Sequence, residues 1–392
     1  MNTQQIMALD HENIMQTYGR LHIAPVTGKN ATMTDADGKT YIDFTSGIGV
    51  NSLGWCDEGW IGAVEAQLHK LQHMCNYFYS ESAGKLAEQL VKLSGLNRVF
   101  FGNSGAEANE GAIKLARKYS FDKYGEGRAT IITLTNSFHG RTVTTLAATG
   151  QDVFHQYFYP FTDGFKYVEA NNTDAICEAM TADVCAVIAE PIQGEGGVNP
   201  LDVQYVKALR ELCDERDVLL IFDEVQTGIG RCGKVFAYEH FGLKPDIVTL
   251  AKGLGGGLPI GAFIAGEKCE ATLGAGLHGS TFGANPVVAA GACEVISRVS
   301  DSDFLAEVEK KGQYLINAVM AKSPSKVKAV RGRGMMIGFV VEGNPKDYLH
   351  ACADAGLLVL TAGKDVIRLL PPLTISYEEI DKGAAILADV LK

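Results

Sequence analysis

Apolar residues along this chain gather into short unbroken runs, and several of these end abruptly in a charged residue or a glycine. Val218-Leu219-Leu220-Ile221-Phe222 closes on Asp223-Glu224, and Ile247-Val248-Thr249-Leu250-Ala251 closes on Lys252-Gly253. A short apolar run without polar alternation predicts a strand buried on both faces of a parallel sheet. Runs near 98–101, 129–134, 184–189 and 261–265 repeat the pattern. Between them the spacing of apolar residues turns helical, as at 105–119 and 202–214. Strands alternating with helices predict an α/β fold whose parallel sheet is covered on both faces.

The two ends of the chain depart from this pattern. Asp35-Ala36-Asp37-Gly38 supplies a turn between Ala31-Thr32-Met33 and Tyr41-Ile42-Asp43-Phe44, which predicts a hairpin over 31–44. Helical spacing follows at 60–72 and 81–93. After about residue 300, strand-like runs at 336–341, 357–360 and 366–370 mix with helices near 303–321 and 377–391, and Ser376 with Glu379 has capping-box spacing. We expect a large domain over 46–295, a smaller α+β domain over 296–392, and an amino-terminal segment 1–45 that packs with the smaller one.

Composition narrows the function. The net charge of −11 and the lack of a basic cluster exclude wrapping of nucleic acid. The nine cysteines show no zinc-ligand spacing, so no metal site is expected, and their scatter suits reduced thiols in a cytoplasmic protein. No secretory signal and no apolar run of membrane-spanning length is evident, so no membrane partner is expected.

Ligands of open α/β sheets bind at the carboxyl ends of the strands. Lys252 and Asp223 would meet there. They are the amine and carboxylate that pyridoxal 5'-phosphate needs for its Schiff base and its pyridinium nitrogen. Other strand ends carry further candidates. Phe100-Phe101-Gly102-Asn103-Ser104-Gly105-Ala106-Glu107 runs from strand to helix, and the free N–H groups there suit a phosphate, or simply an ordinary cap. Phe138-His139-Gly140-Arg141-Thr142 offers a ring for stacking and a guanidinium for a carboxylate; a core Phe and a surface Arg is the plainer account. Glu190-Pro191-Ile192-Gln193-Gly194-Glu195-Gly196-Gly197 sets two carboxylates on a glycine-rich loop, either at a site or as solvated acids of a turn. Gly279-Ser280-Thr281-Phe282-Gly283-Ala284-Asn285-Pro286 offers hydroxyls to a phosphate but has the composition of any turn. A strand ending in Asp-Glu also suits the magnesium site of a nucleotide hydrolase. That chemistry needs a phosphate loop, and the nearest match, Gly38-Lys39-Thr40, has Met33 in place of the first glycine.

In this order the segments resemble the class III, or ornithine-type, aminotransferases of PLP fold type I, from about residue 18 to the end. The resemblance implies a mostly parallel seven-stranded sheet in the large domain, pyridoxal 5'-phosphate as cofactor, and a homodimer. By that resemblance Lys252 carries the cofactor and moves the proton. Asp223 holds the ring nitrogen, Gln226 contacts the ring oxygen and Phe138 stacks on the ring. Ser104, Gly105 and Ala106 receive the phosphate, and Thr281 reaches the phosphate of the other subunit. Arg141, with Ser280 nearby, takes the donor's distal carboxylate. Arg368 takes the carboxylate beside the reacting carbon of glutamate or 2-oxoglutarate, and Glu195 neutralises it when that carboxylate is absent. The implied reaction is ping-pong transfer of a terminal amine from N2-acetyl-L-ornithine to 2-oxoglutarate, in arginine biosynthesis. N-succinylornithine or 4-aminobutyrate are alternative donors, and a non-catalytic PLP-binding module is the alternative of another class. Two positions depart from the family: Gly54-Trp55-Cys56-Asp57-Glu58 stands where G-H-x-H-P is usual, which alters a loop, and Ile48 stands where ornithine δ-aminotransferases have a tyrosine, which disfavours a free α-ammonium.

Overall fold

Side-chain parity along buried strands organises the molecule. In a computed structural model describing residues 1–392, a seven-stranded sheet runs in the order Arg98–Gly102, Gly261–Ala265, Ile247–Leu250, Leu219–Asp223, Val184–Ala189, Thr130–Leu134, Phe165–Val168. The last five are mutually parallel, and Gly261–Ala265 is antiparallel to both its neighbours. Leu219 and Ile221 face a layer that holds Ala112, Ile113, Leu115 and Ala116 of helix Gly105–Tyr124. Leu220 and Phe222 face the opposite layer, with Val206 and Leu209 of helix Val203–Glu215. Both faces are sealed, so these strands read as unbroken apolar runs. Phe165–Val168 escaped the sequence reading because it is an edge strand; Lys166 and the exposed Tyr167 interrupt its apolar run.

The expected capping box at Ser104 is shifted by one residue. Ser104 Oγ accepts the Glu107 N–H at 3.2 Å, but the Glu107 carboxylate reaches back to the N–H of Asn103, at 2.8 Å, rather than to that of Ser104. The Ser104 hydroxyl donates to the same carboxylate at 3.0 Å, which draws Glu107 toward the preceding loop. Strand Gly261–Ala265 begins directly against this loop. A Cβ at Gly261 would lie 2.0 Å from Ser104 O, so only glycine permits the approach.

The terminal regions share sheets. The hairpin is present as Thr32–Asp35 and Thr40–Asp43, and Thr40–Asp43 pairs in parallel with Leu357–Leu358. A second small sheet runs Val327–Arg333, Met336–Val341, Val366–Leu369, Leu360–Ala362. Its outer strand Val327–Arg333 is largely exposed and rich in Lys and Arg, so apolar runs gave no sign of it. The capping box of Ser376 and Glu379 opens helix Tyr377–Val390 as expected. The unusual loop is structural: Trp55 Nε1 donates to the buried Asp43 carboxylate at 3.0 Å, and Asp57 caps helix Glu58–Leu68.

Helix Tyr377–Val390 packs closely on the amino-terminal segment, through Glu379, which accepts from Asn30, Ala31 and Thr32, and through Gly383. Phe44 is fully buried, and a Cβ on Gly383 would sit 2.2 Å from its ring. Gly383→Ala is therefore expected to lower stability by about 1–3 kcal/mol through overpacking, read as a lower denaturant midpoint at unchanged slope. An unchanged midpoint would show that the ring can step aside.

Candidate active site

Loops at the carboxyl edge of the sheet enclose a cavity of about 600 Å³, within the range of small-ligand sites. Asp223 ends its strand with the parity of Leu219 and Ile221, so its side chain leaves on the face of helix Gly105–Tyr124. Glu224, one residue on, leaves on the other face and accepts the N–H groups of Ala237 and Tyr238 at 2.6 and 2.7 Å. Burial pushes the Glu224 carboxyl up to about 8, against the pull of those two donors. The Gly38-Lys39-Thr40 stretch turns between the two hairpin strands and opens no helix, so no phosphate loop accompanies these acids, which removes the nucleotide-hydrolase alternative.

Asp223 is 3% exposed and accepts Asn109 Nδ2 at 2.7 Å, a ring nitrogen of His139 (Nδ1) at 2.8 Å and the Val225 N–H at 3.0 Å. Lys252 follows the neighbouring parallel strand and adopts φ +43°, a left-handed conformation that costs a non-glycine residue about 1–2 kcal/mol. Strain of this kind gathers at functional sites. What accessible surface Lys252 has opens onto the cavity it lines, and burial holds its amine below the usual lysine value, with Glu195 opposing and Arg368 reinforcing that shift.

The remaining walls carry other predicted residues. Ser104, Gly105 and Ala106 present the amino terminus of helix Gly105–Tyr124 to the cavity. The Phe138 ring lines it from the facing loop, its N–H donated to Glu190 at 2.9 Å. Burial pushes the Glu190 carboxyl upward while its second oxygen accepts the Gly194 N–H. Arg141 lines the mouth, with its guanidinium 4.1 Å from the Phe154 ring centroid and 5.6 Å from that of Phe138.

Behind Gln226, Arg368 and Glu195 form a bidentate pair at 2.7 and 3.1 Å. Gln226 joins both, accepting from Arg368 at 3.0 Å and donating to Glu195 at 3.2 Å. Arg368 Nε is buried without a partner, so the guanidinium retains unused donor capacity. Ser280 lies outside the cavity lining, with Oγ accepting from Asn103 and from the Gly283 N–H. Thr281 is exposed and does not line this chain's cavity.

Sequence reasoning missed Tyr18, Val50, Asn109 and His139, which also line the cavity. Two of them left a trace: His139 lies in the Phe138–Thr142 motif, and Asn109 is a polar residue on the stripe shared by Ala112, Ile113 and Ala116.

The donor set fits pyridoxal phosphate. An amine and a buried, hydrogen-bonded carboxylate reach one cavity from adjacent strands, with a helix amino terminus for an anion and an aromatic ring for stacking.

Known proteins agree with this chemistry. A sequence family described as aminotransferase class-III matches residues 14–391. The acetylornithine aminotransferase of Haemophilus ducreyi is 55% identical, over 100% of this chain and 99% of that protein. The N-acetylornithine aminotransferase structure from Stenotrophomonas maltophilia is 38% identical, with a TM-score of 0.85 and 98% of each chain covered. An ornithine aminotransferase structure from Toxoplasma gondii superposes with a TM-score of 0.95 at 31% identity, covering 100% of this chain and 95% of that one.

The Glu195–Arg368 pair makes a pH prediction. Burial raises the Glu195 carboxyl, but Arg368 outweighs it and the net position is below the ordinary 4.5. The pair's stabilisation is then complete above 4.5 and fades as pH falls through the lower folded value. Glu195 is 28% exposed, so a loss on the order of 1 kcal/mol is expected for Glu195→Gln near neutral pH. Chemical denaturation from about pH 7 to about pH 4 should show this difference shrinking with acid. A difference independent of pH would mean that the charge contributes nothing.

Proposed function

The chain belongs to the class III aminotransferases, and on that premise we propose that it transfers the terminal amino group of N2-acetyl-L-ornithine to 2-oxoglutarate, releasing glutamate, as a step of arginine biosynthesis. One observation carries the reading. Arg368 is neutralised by Glu195 in the wall behind the cavity, so the same site can offer a neutral wall or a free guanidinium. A donor reacting through a terminal amine has no carboxylate beside the reacting carbon and uses the neutral form. 2-Oxoglutarate has one, and it replaces Glu195 on Arg368, so neither substrate leaves a buried charge unpaired.

Pyridoxal phosphate, when bound, supplies a carbonyl that condenses with amines and a ring that delocalises the electrons released at the donor carbon. Lys252 Nζ would hold that carbonyl, and when free would carry the proton taken from the donor carbon. Its lowered pKa favours the neutral amine that this task needs. Asp223 would hold the protonated ring nitrogen, and Phe138 would stack on the ring. The N–H groups of Gly105 and Ala106, with Ser104 at the cap, hold the phosphate. Gln226 would contact the ring oxygen, and Arg141 would orient the donor's distal carboxylate, with Ser280 proposed to assist. In the return half, Arg368 orients 2-oxoglutarate while the freed Lys252 moves the proton back.

Ile48 favours an acylated donor over free ornithine. It sits 43% exposed in a left-handed turn, where a tyrosine would otherwise offer a hydroxyl to an ammonium. The proposed setting is cytoplasmic, in keeping with nine free cysteines. No helix is long and apolar enough to cross a membrane.

The proposed assembly is a homodimer in which Thr281 completes the partner subunit's phosphate site. Tyr77, Phe78 and Tyr79 are 95%, 67% and 104% exposed, a density of aromatic surface that asks for a cover. Asn76 ties that segment to the Thr281 loop by donating to Ser280 O and Gly283 O. Thr281→Ala is expected to weaken cofactor affinity about tenfold while the dimer persists in sedimentation. A monomer in the wild-type protein, or unchanged affinity, would remove this role.

The function itself is tested by half-reactions without 2-oxoglutarate, following the visible band of bound cofactor. N-acetylornithine should bleach it fastest, ahead of N-succinylornithine, ornithine and 4-aminobutyrate, and Lys252→Ala should show no borohydride-stable attachment. Faster bleaching by 4-aminobutyrate would reassign the donor, and no bleaching by any amine would leave a non-catalytic binding module.

A further inference from the structure

Asn109 is the one side chain that touches the cofactor-facing acid, the loop of the stacking ring and the strand of the catalytic lysine together. It is 1% exposed, in the first turns of helix Gly105–Tyr124. Its Nδ2 donates to His139 O and to Asp223 Oδ2, both at 2.7 Å. Its Oδ1 accepts Thr249 Oγ1, also at 2.7 Å. The orientation of the amide follows from chemistry: a backbone carbonyl only accepts, so the nitrogen must face His139 O and the oxygen must face Thr249. Parity brings the three partners together. Thr249 shares the sheet face of Ile247, and Asp223 that of Ile221, which is the face the helix covers.

We propose that Asn109 is a positioning residue, which holds Asp223 as a charged acceptor with one open site aimed at the cofactor's ring nitrogen. The inference rests on the assignment of Asp223 to that nitrogen. An ionised carboxylate has about four acceptor positions. The chain fills three at Asp223, from Asn109, His139 and the Val225 N–H. The remaining position is the one the ring nitrogen's proton would occupy, because Asp223 lines the cavity. The three donors hold the carboxylate in one orientation, with that last position turned to the cavity. A neutral acid could not keep the ring nitrogen protonated. Asn109 also fixes the loop that carries Phe138 relative to that acid, so ring stacking and nitrogen contact are set by one amide. Thr249 stops the amide from rotating its oxygen toward Asp223.

The test uses the holoenzyme reconstituted with pyridoxal phosphate labelled with nitrogen-15 in the ring. The nuclear magnetic resonance shift of that nitrogen reports its protonation without any turnover. Asp223→Asn gives the reference for a lost proton. Asn109→Leu keeps the bulk without the amide, and Thr249→Val removes only the hydroxyl that orients it. Both should move the nitrogen signal toward the Asp223→Asn position, Thr249→Val by less. For Asn109→Leu, kcat should fall about ten- to a hundredfold, the size expected from one hydrogen bond to a charged group, with KM changing less. Wild-type nitrogen signal and kcat in Asn109→Leu would overturn the proposal. If that variant does not fold, an unmoved signal in Thr249→Val would overturn it. A wild-type signal that Asp223→Asn leaves unchanged would instead remove the Asp223 assignment itself, and the proposal with it.

Discussion

A carboxylate at the end of a strand sealed on both faces is cut off from water, so donors from the protein have to fill its lone pairs, and the arrangement around Asp223 is built on that requirement. Isolated burial of such a charge is prohibitive, and the usual escape is protonation. Here three donors converge instead, from a helix, a loop and the backbone just beyond the strand. Each has further obligations. Asn109 is anchored by Thr249, the His139 N–H is donated to Thr149 Oγ1, and Val225 lies against Gly105 so closely that a Cβ there would sit 2.8 Å away. The acid therefore draws the helix amino terminus, the ring-stacking loop and the lysine strand into one assembly.

The same physics sends Glu224 the other way. Strand parity alone turns it into the opposite layer, where its carboxyl accepts two N–H groups of the turn Ala237–Phe241 and contributes nothing to the cavity. Two neighbouring acids with similar sequence surroundings thus serve chemistry and architecture separately. From composition and spacing they look like a metal-binding pair; alternation of side chains in a strand is what separates them.

Much of the central sheet was legible because strands buried on both faces are apolar along almost their whole length, as residues 219–222 and Val184–Ala189 are. Strands wetted on one side were not: Phe165–Val168 and Val327–Arg333 alternate or carry charge and look like loops. The cavity divides in the same way. Residues at strand ends or in glycine-rich turns, such as Lys252, Asp223 and Gly105, stood out because position and composition coincide there. Tyr18 did not, because it enters from an irregular segment whose path depends on tertiary contacts such as the ion pair of Arg20 with Asp10. His139 sat within a motif already noticed, yet only the fold reveals that its ring turns toward Asp223 rather than solvent.

Choice of donor lies outside what the backbone can decide, since relatives acting on free and acylated ornithine share this fold. It has to reside in side chains near the mouth, and these are not independent of the Arg368 end of the site. Ser46, Gly47, Ile48 and Gly49 form a left-handed turn with φ of +41°, +64°, +66° and +75°, strained at both non-glycine positions. Ser46 Oγ donates to Leu370 O at 2.6 Å, and the fully buried Arg231 donates to Pro371 O and Met335 O beside it. Leu370 and Pro371 directly follow the strand that carries Arg368. A guanidinium with no carboxylate partner, spending its donors on backbone carbonyls, is costly to bury and is tolerated only where it fixes geometry. What it fixes here is the turn bearing Ile48 against the strand bearing Arg368. The turn and the Arg368 strand therefore sit on a single rigid body. Relaxing the turn would shift the backbone that carries Arg368 as well.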